Sequence, residues 1–381
     1  MRKVKLVELC EIVNGSTLDT SNLKLWGEDI SWITPKDIGN KYYIFDSERK
    51  ISNAGLKSCS TSIIPINSVL MTSRAPVGNI AINKISLCTN QGHKALIPND
   101  KIYYKYLFYF LLFYKPNLDN LSHGNTFKEI TKGAVENIEV TLTETYEEQI
   151  AIAEKLDKQM AEIETMRQAA IQQKDAAEAM EASILREVFP YQNDEELSKV
   201  CRINNISNYP SKSEKCLLFS IEAYDNCKKP EETFVKDLGS EKNVCEFGNI
   251  LFCKMNPRKN RVWNISVKSK LPMLCSSEFV PLIPFGVDPD YLTLFLSSDY
   301  FTNQLKQYVK GATKSRSRVN PKDLMKIKIS LPNNKEDQKK IALVLQEKIE
   351  EIRKFKEKIN NSLDAIDALP SSILRETFKE V

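Results

Sequence analysis

Glu147 to Phe189 reads EEQIAIAEKLDKQMAEIETMRQAAIQQKDAAEAMEASILREVF, and Glu336 to Phe378 reads EDQKKIALVLQEKIEEIRKFKEKINNSLDAIDALPSSILRETF. Laid over one another without gaps, the two stretches agree at 16 of 43 positions. These include Gln149 with Gln338, Leu156 with Leu345, Ile163 with Ile352, and the endings SILREVF and SILRETF. Chance does not give such a match, so the chain holds an internal duplication. Each copy carries an apolar residue at every seventh position: Leu156, Ile163, Ala170, Ala177 and Ile184 in the first, Leu345, Ile352, Ile359, Ile366 and Ile373 in the second. That spacing predicts a helix-pairing seam of the coiled-coil kind. Met160, Met166 and Met180, with Ile349, Phe355, Leu363 and Leu369, are expected to widen the apolar stripe. At 1.5 Å per residue each helix would run about 60 Å. The other reading is that each helix packs on its own domain. Pro370 stands where the first copy has Glu181. A proline removes a helical hydrogen bond, so a kink or restart is expected there, with Pro370 in the first turn of a short final helix.

The helical segments, 146–190 and 336–381, follow two mixed segments, 1–145 and 191–335, and charge follows the same division. The mixed segments carry net charges of +3 and +7, the helical ones −5 and −1. Basic mixed domains suit a polyanion, and acidic helices do not. The longest apolar run, Tyr106 to Tyr114, is nine residues between Lys105 and Lys115, too short to span a membrane. Lys5, Glu8 and Glu11 interrupt what would have to be a signal core, so no membrane role and a cytoplasmic location are expected. Nine cysteines without a CxxC, and only two histidines, favour neither a disulfide framework nor a zinc site.

Within the mixed segments the features come in one order, twice. A strand at Ser68-Val-Leu-Met or Asn249-Ile-Leu-Phe leads into a polar loop, TSRAPVGN from Thr72 or KMNPRKNR from Lys254. A strand at Ala95 to Pro98 or Val280 to Pro284 follows, then an apolar helix beginning near Tyr106 or Tyr291. Next come a glycine-led polar loop, from Gly124 or Gly311, and a final strand, Ile138 to Leu142 or Ile327 to Leu331. The expected fold class is α+β: two mixed domains joined by two long helices.

No nucleotide-binding glycine loop, dinucleotide fingerprint or [DNS]PP[YF] run occurs. His93 and His123 have no nucleophile motif beside them, so no catalytic residue is expected. The loops do hold the residue types that meet phosphates and base edges. In the first domain these are Arg74, Asn90, Gln91, His93, Asn125 and Lys128. In the second they are Lys254, Arg258, Lys259 and Arg261, beside Trp263, and then Lys314, Arg316 and Arg318, alternating with Ser315 and Ser317.

These residues resemble the specificity subunit of a type I restriction-modification system along the whole chain. LCEIVNGST from Leu9 and WGEDISWITPKDI from Trp26 resemble the family's opening, and CTNQG from Cys88 and GNTFKEI from Gly124 its later signatures. KMNPRKNRVWN, CSSEFVPLIP, DPDYLTLFLSS and IKISLP are similar to another branch of the same domain, and Glu147-Glu-Gln and Glu336-Asp-Gln to its entry into the spacer helices. The resemblance implies two target-recognition domains, each reading one half of a bipartite site in double-stranded DNA. It implies helices that pair as an antiparallel coiled coil, serving as a ruler and as a docking surface for two methyltransferase (modification) subunits. S-adenosylmethionine would then be bound by those partners, which methylate adenine, and no cofactor by this chain; restriction subunits would translocate and cleave DNA. Leu142-Thr143, where the family has Leu-Pro, and Pro370 depart from the pattern. Two other readings stay open: a stand-alone, non-catalytic DNA-binding regulator, and a structural coiled-coil protein with incidental basic loops.

Overall fold

The computed structural model describes residues 2–39, 41–74, 76–121, 129–187, 194–206, 208–310, 317–332 and 334–380. They form two compact units, Met1–Ala170 with Ser362–Val381, and Ile171–Asn361.

The first unit contains β1 (Arg2–Lys5), β2 (Cys10–Asn14), β3 (Trp26–Ile33), β4 (Tyr43–Ile44), β5 (Arg49–Ile51), β6 (Val69–Thr72), β7 (Ile80–Asn83), β8 (Leu87–Thr89), β9 (His93–Pro98) and β10 (Glu139–Leu142). They form a five-stranded sheet in the order β2-β9-β6-β7-β4, a three-stranded sheet β5-β3-β8, and the pair β1-β10. All four residues of β6 and all four of β7 are buried. Strands covered on both faces read as continuous apolar runs rather than alternating ones. Leu70, Ala81 and Ala95 face a core with Ile33, Ile44 and Leu87, while the helix Tyr104–Leu121 packs against β6 and β7.

The second unit contains β11 (Asp194–Glu196), β12 (Cys201–Ile203), β13 (Lys215–Phe219), β14 (Glu231–Phe234), β15 (Lys242–Cys245), β16 (Ile250–Cys253), β17 (Val262–Asn264), β18 (Met273–Ser276), β19 (Phe279–Pro284), β20 (Val309–Lys310), β21 (Arg318–Val319) and β22 (Lys328–Ser330). Two four-stranded sheets, β12-β19-β16-β17 and β14-β13-β18-β15, accompany the pairs β11-β22 and β20-β21. Alternation along β16 sends Ile250 and Phe252 into a core with Tyr291, Phe295 and Phe301. Leu251 and Cys253 face the other way, toward Phe219 and Trp263. Burying each such aromatic contributes roughly 1.5–3 kcal/mol.

The two domains repeat one topology. The order β2-β9-β6-β7 matches β12-β19-β16-β17, and the parallel pair β3 and β8 matches the parallel pair β13 and β18. Each domain is clasped by its own ends, since β1 runs antiparallel to β10 and β11 to β22. The Leu6 amide donates to the Ile138 carbonyl at 2.9 Å, and the Leu197 amide to the Ile327 carbonyl at 2.8 Å. The final strand then feeds directly into a long helix.

The long helices run Tyr146–Glu187 and Lys335–Glu380. The first opens on a capping box: the Thr145 hydroxyl accepts from the Glu148 amide, and the Glu148 carboxylate accepts from the Thr145 amide, both at 3.2 Å. The second is capped by Asn334, whose side chain accepts from the Asp337 amide at 2.7 Å. The expected restart at Pro370 does not occur, because the second helix is continuous through it. A proline there forfeits one backbone hydrogen bond, and buried Ile366, Leu374 and Phe378 on either side hold the helix against the core.

Eight of the seam residues, Leu156, Ile163, Ala170, Ala177, Leu345, Ile352, Ile359 and Ile366, are buried, and Ile184 and Ile373 are half-buried. Met166, Met180, Phe355 and Leu369, expected to widen the stripe, are instead exposed. In the first unit Phe378 packs its ring on Tyr106, Phe110 and Phe113 at 5.3, 5.7 and 5.5 Å. Asp157 accepts from Tyr109 at 2.7 Å and pairs with Lys105. In the second unit Ala342 and Leu345 belong to the domain core, with Ile184 packed against it. Each domain therefore receives the start of one long helix and the end of the other.

Candidate nucleic-acid interface

Where β6 ends, the chain is stitched to a segment more than fifty residues later. The Ser73 amide donates to the Gly92 carbonyl at 2.7 Å, and the Ile130 amide to the Ser73 carbonyl at 3.0 Å. Arg74 and Glu129 form an antiparallel bridge. The Arg74 guanidinium lies 3.1 Å from the Glu129 carboxylate, which also meets the Lys94 ammonium at 3.7 Å. Lys94 is almost fully buried, and burial holds its ammonium below the usual lysine range. The loop after β6 and the segment ending the glycine-led loop thus share one edge. Asn125 and Lys128 lie outside the described residues.

The remaining candidates of the first domain build the base of this edge. The Asn90 side-chain oxygen accepts from the Gly92 amide at 3.0 Å and meets His93 Nδ1 at 2.8 Å. That pairing makes Nδ1 the protonated nitrogen and leaves Nε2, which meets no partner among the described residues, as an acceptor. His93 is completely buried, and burial pushes its pKa down to about 4. It is a supporting side chain, not the surface contact its loop position suggested. Gln91 is half-buried. Gly15, in the motif that opens the domain, has a direct cause: a Cβ there would fall 1.7 Å from the Asn90 carbonyl oxygen.

The second domain repeats the stitch. The Lys254 amide donates to the Glu278 carbonyl at 2.9 Å, the Val319 amide to the Lys254 carbonyl at 3.1 Å, and the Asn256 amide to the Ser317 carbonyl at 2.8 Å. Met255 and Arg318 form the bridge that Arg74 and Glu129 form in the first domain. Glu129 and Arg318 so occupy corresponding places with opposite charge, and each is neutralised: Arg318 is gripped by both oxygens of Glu278, at 2.8 and 3.0 Å. Beyond the bridge, Pro257–Lys259 form one tight turn between Asn256 and Asn260, both in the left-handed region at φ 45° and 43°. Asparagine tolerates that conformation better than other side chains. Arg258 and Lys259 are exposed on this turn and form no ion pair among the described residues. Lys254 is half-buried. Arg261 is buried against Asp225 rather than presented outward. Trp263 packs on Phe219 and Tyr224, at 4.9 and 5.8 Å, as a core residue. Lys314 and Arg316 lie outside the described residues.

Four charged residues that sequence reasoning did not single out, Lys94, Glu129, Asp225 and Glu278, hold these loops in place. Glu129 follows directly on a candidate loop and was within reach of a pattern search; nothing in the sequence marks Asp225. Among the described residues no group of three or more histidine, cysteine or acidic side chains is arranged to hold a metal ion, and no helix is long and apolar enough to cross a membrane. All nine cysteines are free thiols.

The model of the type I restriction modification DNA specificity domain matches residues 1–173 and again 185–365. The chain belongs to this family. It is 39% identical over 149 residues to the MjaIX type I restriction enzyme specificity subunit of Methanocaldococcus jannaschii, a match covering 38% of this chain and 34% of that one. Over 111 residues it is 30% identical to the EcoR124I/EcoR124II specificity subunit of Escherichia coli, covering 28% and 27% of the two chains. The matches span about a third of these curated relatives or less. Two solved structures share the fold at 19% identity. One is a chain from a study of complex assembly and conformational transition of the type I R-M system (TM-score 0.79, covering 99% of this chain and 97% of that one). The other is the HsdS subunit from Thermoanaerobacter tengcongensis (TM-score 0.62, covering 99% and 96%). Each of the two matched stretches contains one copy of the junction, Arg74 with Glu129 in the first and Met255 with Arg318 in the second.

Proposed function

We propose that this chain is the non-catalytic DNA-recognition subunit of a type I restriction-modification complex, with each domain reading one half of a bipartite, asymmetric site in double-stranded DNA. The observation that carries the reading is the twice-built junction that joins the polar loop after β6 or β16 to the distant residues Glu129 and Ile130 or Ser317 to Val319 along one edge of each domain. Phosphate contacts from such an edge set register, and the side chains that reach base edges confer specificity. The two edges differ in residue and in charge, so they suit two different half-sites.

The long helices pair as an antiparallel coiled coil whose length sets the gap between half-sites. Support comes from cross-helix ion pairs, Arg167 with Asp367 at 3.0 Å in one unit and Lys356 with Glu181 at 3.1 Å in the other. Helices so aligned bring Ile163 toward Ile373 and Ala170 toward Ile366 in the first unit, and Ala177 toward Ile359 and Ile184 toward Ile352 in the second. The same alignment sets exposed Met166 (50%) beside Leu369 (36%), and exposed Met180 (58%) beside Phe355 (49%). In the duplication Met166 corresponds to Phe355 and Met180 to Leu369. One apolar pair is thus presented twice, which suits two copies of one partner, the modification subunits. Those subunits supply S-adenosylmethionine binding and adenine methylation, and restriction subunits join the complex.

Genome-wide adenine methylation, mapped with and without this chain, tests the reading. A bipartite motif should vanish when the chain is removed. Retained methylation would contradict it, and sequence-specific binding by the isolated chain without any methylation would favour the stand-alone regulator.

A further inference from the structure

Arg261 sits in the basic run of loop 254–261, yet its guanidinium turns inward. Nε and Nη2 each donate to a separate carboxylate oxygen of Asp225, both at 2.6 Å. The Arg261 side chain is 6% exposed and that of Asp225 43%. This two-pronged geometry is the strong form of the arginine–carboxylate pair. Asp225 lies on a short helix, Ile221–Asn226, capped by the Ser220 hydroxyl, which accepts from the Ala223 amide at 2.9 Å. The same helix offers Tyr224, whose hydroxyl accepts from the Val262 amide at 3.3 Å and whose ring meets Trp263 at 5.8 Å. Three consecutive residues at the loop's exit, Arg261 to Trp263, are held by one turn of helix.

The loop's entrance is held separately, by the Lys254 amide on Glu278 and the Asn256 amide on Ser317. Between two fixed ends the left-handed backbone at Asn256 and Asn260 sharply bends the chain, and Arg258 and Lys259 stand at the apex. Side chains preset in this way lose less freedom on binding and discriminate better between ligands.

We propose that Asp225 is a positioning residue for DNA recognition by the second domain: by holding Arg261 it fixes the loop conformation in which Arg258 and Lys259 meet the duplex. The proposal rests on reading loop 254–261 as part of the DNA interface. It separates Asp225 from a carboxylate that merely repels DNA. Removing a repelling carboxylate strengthens binding to all sequences; removing a positioning one costs discrimination in one half-site.

The test uses the full chain, co-expressed with the modification subunits of its own genome, with the assembled complex selecting from a random duplex library. Asp225→Asn should lower the ratio of specific to non-specific binding about tenfold, the order of one mismatched base pair, with new degeneracy confined to one half-site. The exchanged pair, Asp225→Arg with Arg261→Asp, should recover part of that ratio. An unchanged ratio, or equal degeneracy in both half-sites, would overturn the proposal. Arg258→Ala with Lys259→Ala checks the reading beneath it. If this double variant selects the same sequences with the same affinity, the loop is not at the interface. If it relaxes one half-site while Asp225→Asn does not, only the positioning role fails. Should Asp225→Asn not fold, Arg261→Lys keeps a cation beside Asp225 but loses the two-pronged pair; unchanged selection by that variant overturns the proposal equally.

Discussion

The side-chain carbonyl of Gln149 accepts a hydrogen bond from the Tyr103 amide at 2.8 Å, and that of Gln338 accepts one from the Asp288 amide at 2.9 Å. Both glutamines are buried, in the first turns of the two long helices, and each binds the segment that starts its own domain's apolar helix. The identity of these residues in the duplicated stretch thus has a mechanical cause. Gln149→Ala or Gln338→Ala leaves a part-buried backbone amide, that of Tyr103 or Asp288, unpaired and should destabilise the unit concerned by about 1 kcal/mol. Urea unfolding of each variant checks this, and midpoints indistinguishable from the parent would refute it.

Arg258 and Lys259 are the exposed cations of the described second edge that form no ion pair. Replacing both with alanine should reduce the slope of log affinity against log salt by about 1 to 2, since each phosphate left without its cation keeps about one counterion in place. Titrations at several KCl concentrations measure the slope. Arg318→Ala, by contrast, removes a cation already neutralised by Glu278 and should change the slope less.

The exposed pair Met180 and Phe355 should be needed for one copy of the modification subunit, and Met166 with Leu369 for the other. Met180→Glu with Phe355→Glu places charge in an apolar contact and should yield a complex lacking one modification subunit. The mass of the purified assembly reads the result directly; a full complement would show that these helix faces are not the docking surface.

His93 makes the first unit sensitive to acid. Its folded pKa, about 4, lies below the ordinary 6.5. Between those values the unfolded chain binds the extra proton and the folded chain does not. The stability is therefore fully present above pH 6.5 and is lost as pH falls toward 4. Roughly 3 kcal/mol is at stake over that window. Unfolding measured from pH 7 to 4.5 should show a shallower decline in His93→Gln than in the parent. Parallel declines would rule out His93 as the cause.

Much of this architecture was legible because it rests on local patterns. The heptad positions read as buried, and apolar runs such as Val69–Thr72 and Ile250–Cys253 read as strands because both faces are covered. Partnership across long sequence distances was not legible. Arg74 and Glu129, or Met255 and Arg318, meet only through the tertiary fold. For the same reason Arg261, Arg318 and His93 look from sequence like outward-facing recognition residues, although two are ion-paired and one is buried. Met166, Met180, Phe355 and Leu369 fit the helical stripe by period but lie outside its buried core, a distinction that depends on what packs against each helix.

Two domains reading two half-sites at a distance set by helix length can be tested by one measurement. Residues 171–177 and 359–365 are one heptad from the middle of each long helix, and deleting both shortens each helix by about 10 Å while keeping its seven-residue period. Methylated motifs mapped genome-wide for the parent and the deletion variant should contain the same two half-site sequences, separated by a shorter gap in the variant. An unaltered gap, or changed half-site sequences, would contradict the account.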